Sequence, residues 1–116
     1  MSPSPLGTWG EQYVEKYLIE QGYEILCRNW RTRYGEIDLI ALHEGVLVFV
    51  EVKSRRSSRC GEAEESVDER KQAKLRKLAE EYLYSTDQPE ANCRFDVVAL
   101  RIRSTGHEVT VITNAF

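Results

Sequence analysis

Long apolar runs are missing from this chain. None approaches the roughly 20 residues that a membrane-spanning helix needs, so no membrane partner is expected. The opening Met-Ser-Pro-Ser-Pro-Leu-Gly has neither a basic start nor an apolar core, which excludes a secretory signal and leaves a cytoplasmic location as the expectation. Cysteine is scarce: Cys27, Cys60 and Cys93 are odd in number and show no C-x-x-C spacing, so reduced thiols are expected, without a disulfide framework or a zinc site. Strong basicity is absent too. The formal net charge is -3, whereas nucleic-acid-binding domains commonly run basic. With 116 residues, 41% of them hydrophobic, the chain can bury one core but not two, so residues 1–116 read as a single domain. No internal repeat is present.

The apolar spacing sets out a coarse order of elements. Residues 8–21 read as a helix with Trp9, Tyr13, Tyr17 and Leu18 on one stripe and Gly22 as the stop. Residues 23–30 read as a strand. Residues 36–42 and 46–53 read as a hairpin closed by His43-Glu44-Gly45, and residues 54–66, rich in serine and charge, as a mobile loop. Residues 67–85 carry Lys71, Leu75, Leu78 and Tyr82 at helical spacing, widened by Ala79 and Leu83. Residues 94–100 and 108–112 supply the last strands.

Charge stands out where this pattern asks for buried strands. Gly35-Glu36-Ile37-Asp38 opens one arm of the hairpin, and Glu51-Val52-Lys53 ends the other after Val46-Leu47-Val48-Phe49-Val50. If Glu44-Gly45 is the loop proper, His43 pairs with Val46, and counting back puts Asp38 opposite Glu51 on the same face. Two opposed carboxylates repel unless something neutralises them. A hard divalent cation does so, and an oxygen-only donor set suits Mg²⁺ or Mn²⁺. Lys53 shares that face two positions on. Metal and lysine together suit phosphodiester hydrolysis, the cation acidifying water and the lysine orienting the nucleophile or shielding charge. The plain alternative, three solvated residues near strand ends, would suffice for a lone acid but not for the set.

These residues resemble the YraN family of small bacterial endonuclease-like proteins, within the restriction-endonuclease-like PD-(D/E)xK superfamily. The most specific matches are GEIDLIA at 35–41 and LVFVEVK at 47–53, and the likeness extends through Gly10-Glu11, Arg28-Asn29-Trp30-Arg31, Lys71 and residues 94–99. It implies an α/β (α+β) fold with an αβββαβ core, a central mixed sheet flanked by two helices, and the last strand as an addition. In the superfamily pattern Asp38 and Glu51 take the places of the metal-binding acids and Lys53 that of the lysine.

Further residues carry two readings each. Glu11 stands three positions after Thr8, the capping-box spacing, yet in related nucleases an acid of the first helix reaches the metal site. Lys71 continues an apolar stripe, so it either snorkels past the helix end or, with Gln72, points at phosphate. Arg28, Arg31 and Arg33 before the hairpin, and Arg55 and Arg56 after it, are the expected nucleic-acid contacts. Trp30 and Tyr34 lie among them as stacking candidates, a role that competes, for Trp30, with burial. The reading is a metal-dependent DNA endonuclease. Likeness to junction-resolving nucleases implies branched or flapped DNA, and a homodimer would supply two cuts. The alternative is a catalytically silent nucleic-acid-binding module within a larger DNA-processing complex.

Overall fold

Alternating apolar residues build five strands and helical spacing builds two helices in the computed structural model, which describes residues 5–56 and 67–116. In chain order these are α1 (Pro5–Glu20), β1 (Glu24–Thr32), β2 (Gly35–His43), β3 (Val46–Arg56), α2 (Glu69–Ser85), β4 (Cys93–Arg103) and β5 (Gly106–Ile112). The strands form one sheet in the order β1-β2-β3-β4-β5, antiparallel throughout except for the parallel pair β3–β4 that α2 connects. The expected αβββαβ core is therefore α1 to β4, in a mixed sheet, and β5 is the added edge strand.

Each face of the sheet carries one helix. Ile40, Leu47, Phe49, Phe95 and Val97 pack with Leu75, Leu78, Ala79, Tyr82 and Leu83 of α2. Leu39, Ala41, Val48, Val50, Val98 and Leu100 pack with Val14 and Leu18 of α1. Fully burying one such aliphatic side chain contributes about 1.5–3 kcal/mol, so both faces are strongly specified. The hairpin closes as expected: Glu44 (φ 51°) and Gly45 (φ 81°) make a two-residue turn of type I′ character, and His43 pairs with Val46.

Several expectations need correction. Helix α1 begins at Pro5, so Thr8 lies inside it and cannot be its cap, which removes the capping-box role of Glu11. Its buried stripe runs through Gly10, Val14 and Leu18, whereas Trp9 (41% exposed) and Tyr13 (37%) lie against His107. The reason is close approach: a Cβ on Gly10 would come within 2.2 Å of Ser54 Oγ, so no ring fits beneath the helix. Strand β3 continues through Ser54, Arg55 and Arg56, which shortens the loop expected over 54–66, and residues 57–66 lie outside the described residues. Trp30 is partly buried and packs against the α2-side core, edge-on to Tyr82 at 5.4 Å. Cys27 and Cys93 are free thiols, and Cys60 is outside the described residues. Among the described residues no helix is long and apolar enough to cross a membrane.

Candidate active site

The sheet forks at the two acids. β1 and β2 stay paired through Trp30↔Ile37, Arg31↔Glu36 and Thr32↔Gly35, but the β2–β3 ladder ends at Leu39↔Val50. Beyond that point β3 remains paired only with β4, from Glu51↔Val97 to Arg56↔Ile102. Asp38 and Glu51 are thus the first residue of each arm. The Val52 N–H, which a continued ladder would turn toward the β2 backbone, donates to Asp38 Oδ2 at 2.8 Å.

A coordinated irregularity sits beside this fork. Residues two apart on a strand share a face, yet Arg28 pairs with Glu15 of α1 while Trp30 packs on the α2 side. Likewise Ile37 belongs to the α2-side cluster and Leu39 to the α1-side cluster. Both strands change face at one level, β1 at Asn29 and β2 at Asp38. The pairs Arg28↔Leu39 and Trp30↔Ile37 bracket these two residues, which therefore stand opposite each other. Asn29 has φ 49°, a left-handed conformation that asparagine tolerates better than most residues. Such a break re-aims side chains that a regular strand would hold to its faces.

Acidic groups from three elements converge here. Burial is the main cause that raises the Asp38 pKa to about 7, followed by the negative charge of Glu51; the Val52 N–H opposes the rise, and Glu11 and Glu36 add to it. Glu11 of α1 is also raised, by burial first and then by Glu36, with the Asn29 amide donating to its carboxylate in opposition and Glu51 adding a smaller push. Glu36 is held by Arg31 at 2.9 Å. Glu51, its side chain 15% exposed, lies 3.4 Å from Lys71 Nζ at the start of α2. Lys71 gets there because Asp68 caps the helix, accepting the Lys71 N–H at 2.8 Å. Lys53 is half-buried two residues beyond Glu51, beside Ala99.

This donor set is all oxygen, the chemistry that suits a hard cation. Among the described residues no three Asp, Glu, His or Cys side chains form a ready metal-holding group. Asp38 and Glu51 would supply part of a coordination sphere, with the other positions left to water and phosphate.

A family model described as "Uncharacterised protein family UPF0102" matches residues 10–100. The chain belongs to that family, the YraN family. A UPF0102 protein of Syntrophomonas wolfei is 46% identical over 96% of this chain and 96% of its own length. Another, from Chlorobaculum parvum, is 50% identical over 85% of this chain and 77% of its own. Among solved structures, that of Pyrococcus furiosus SfsA in complex with Ca²⁺ aligns with a TM-score of 0.42 at 20% identity, over 95% of this chain. This chain spans 62% of the SfsA chain, a likeness too loose for residues to be matched between the two.

Other expected site residues lie apart from the cluster. The Gln72 side chain donates to the Val67 carbonyl at 2.7 Å and so braces the approach to α2. Arg28 is committed to Glu15, at 2.7 Å through Nη2, on the α1 face. Arg33 donates to the hydroxyl of its neighbour Tyr34 at 2.9 Å and is exposed. Arg55 and Arg56 are exposed at the end of β3, past the fork. Asn29 and Glu36 were missed by the sequence reading, although both sit inside its quoted motifs. Regular alternation would have put Glu36 on the face of Asp38, and an asparagine within a strand was the available signal for a break.

Proposed function

We propose that this UPF0102 protein is a metal-dependent DNA endonuclease that hydrolyses phosphodiester bonds, with Asp38 and Glu51 holding Mg²⁺ or Mn²⁺. One observation carries the reading: Asp38 is half-buried beside Glu51, Glu11 and Glu36, and its pKa rises to about 7. Such crowding destabilises the fold and serves no packing purpose, whereas a divalent cation relieves it. When bound, the cation acidifies water and offsets charge developing on the phosphate.

The chain's own residues do the rest. The Val52 N–H fixes the Asp38 carboxylate, and Lys71 braces Glu51 from the other face. Glu11, whose carboxylate the Asn29 side chain favours, would accept from water around the cation. Lys53 reaches a phosphate oxygen or orients the attacking water. Branched or flapped DNA is the proposed substrate, from the family resemblance. A homodimer supplies paired cuts, and other DNA-processing proteins are the proposed partners.

Labelled linear, nicked, flap and four-way DNA incubated with Mg²⁺ or Mn²⁺ provides the test. Wild type should cut at least one of them, and Asp38→Asn and Lys53→Ala should not. Equal cleavage by all three proteins removes the assigned chemistry.

One observation favours the second reading, a silent binding module: the lack of a ready three-ligand group among the described residues. A Mn²⁺ titration followed by calorimetry separates the two. DNA retention with no heat from Mn²⁺ selects the binder.

A further inference from the structure

Lys71, Lys74 and Lys77 follow one another at three-residue steps along α2, which puts neighbouring Cβ atoms about 5–6 Å apart and spreads the row over about 9 Å of helix. Each lysine meets the fork or the turn leading into it. Lys71 Nζ is 3.4 Å from Glu51. Lys74 lies flat across Gly35, where an added Cβ would come 2.6 Å from its Cε and 3.2 Å from its Nζ. Lys77 Nζ stands 5.0 Å from the Tyr34 ring centroid, and the Arg33 guanidinium lies 5.0 Å from the same centroid. Tyr34 itself is 44% exposed.

Charge balance separates this group from Arg28 and Arg31. Arg28 and Arg31 are compensated by Glu15 and Glu36. Among the described residues, Lys74, Lys77 and Arg33 have no carboxylate within ion-pair distance. Cations gathered on one ring repel each other, and a chain with 19 acidic residues has ample means to compensate them. The row also runs from the positive end of the α2 dipole, which favours anions.

We propose that Lys74, Lys77 and Arg33, with Tyr34 between them, hold the sugar-phosphate backbone of a DNA strand and lead it across Gly35 to the fork. The row takes the place in binding that the sequence suggested for Arg28 and Arg31. Gly35 keeps the path low by leaving room for the Lys74 stem, and Lys71 ends the row at the acids. This inference deepens the nuclease reading and rests on it for the direction of the strand, but its binding step is measurable without cleavage.

The test is fluorescence anisotropy of labelled duplex DNA with the full chain in EDTA, titrated over a range of KCl concentrations. Wild type is compared with a Lys74→Gln/Lys77→Gln double variant, Arg33→Gln, and Lys16→Gln on α1 as a charge control. Each lost phosphate contact lowers the salt slope by about 0.9, so the double variant should lose about 2 in slope and Arg33→Gln about 1. Affinity at low salt should fall roughly tenfold or more in the double variant, and Lys16→Gln should match wild type. A wild-type slope and affinity in the double variant, or an equal loss in Lys16→Gln, overturns the proposal. If the row variants lose binding while wild type never cuts DNA, the row stands and the nuclease reading falls. Cleavage by the double variant with unchanged KM has the opposite meaning.

Discussion

Asn29 and Asp38 face each other across β1 and β2 at the level where both strands exchange faces. The left-handed Asn29 (φ 49°) makes the exchange in β1, and its side-chain amide opposes the rise of the Glu11 pKa. Asp38 makes it in β2 and takes the Val52 N–H that the interrupted ladder leaves over. Backbone irregularity and acid clustering are thus one feature.

The first prediction concerns pH without metal. Asp38 titrates near 7 in the folded chain against 3.8 for an ordinary aspartate, so the folded state keeps a proton that the unfolded state loses on the way up. Its stability contribution is complete below about pH 4 and is lost as pH rises through 7, a change on the order of a few kcal/mol. In EDTA, Asp38→Asn should match wild type in melting temperature near pH 4.5 and exceed it by several degrees near pH 8. Parallel melting curves across that range would count against the assigned burial and repulsion.

Metal addition should reverse this penalty. Saturating Mn²⁺, at about 100 times its Kd, should stabilise wild type by roughly 2.7 kcal/mol near pH 8. The shift should shrink at pH 5, where Asp38 is protonated, and should vanish in Asp38→Asn. Thermal melts with and without Mn²⁺ measure it; an undiminished shift in the variant would place the ion elsewhere.

Lys71 tests whether the contact to Glu51 belongs to chemistry or to the fold. The Lys71 side chain is 44% exposed, so the pair should contribute no more than about 1 kcal/mol to stability. Lys71→Ala should therefore leave the melting temperature within a few degrees of wild type while lowering kcat for DNA cleavage at least tenfold. A purely structural lysine would leave kcat alone.

Gly35 has φ 146°, and an added methyl would strike Lys74 Cε. Gly35→Ala should cost about 1–3 kcal/mol, combining backbone strain with displacement of the lysine. In a Lys74→Ala background the cost should drop to the strain alone. A denaturant-based double-mutant cycle reads the difference, and perfect additivity would mean that the lysine moves aside without effort.

At the hairpin end of the sheet, Asp96 is 1% exposed and accepts from Tyr23 OH, Arg94 and the Asn114 N–H. Asp96→Ala strands the Arg94 cation and should destabilise by about 3–5 kcal/mol, whereas Tyr23→Phe should cost about 1 kcal/mol. Urea unfolding measures both. Metal-dependent cleavage by Tyr23→Phe should stay at the wild-type level.

Much of the architecture was legible in local pattern. Glu44-Gly45 between alternating apolar residues set the hairpin register, which holds from His43↔Val46 to Leu39↔Val50 and leaves Asp38 and Glu51 one step beyond the ladder. Leu75, Leu78, Ala79, Tyr82 and Leu83 marked the buried face of α2, which carried Lys71 to Glu51 at its open end. These inferences succeeded because a two-residue turn and a helical stripe are governed by near neighbours in the chain.

What depended on distant neighbours was decided by the tertiary fold. Trp9 and Tyr13 looked like core, but the close approach of Gly10 to Ser54 pushed them to the flank. Arg28 and Arg31 looked available until packing supplied Glu15 and Glu36, while Lys74 and Lys77, which no local pattern singled out, meet the β1–β2 turn. Periodicity reports which residues one element buries. It cannot report where two strands change face together, or which charges meet across elements far apart in sequence, because those outcomes depend on the packed whole.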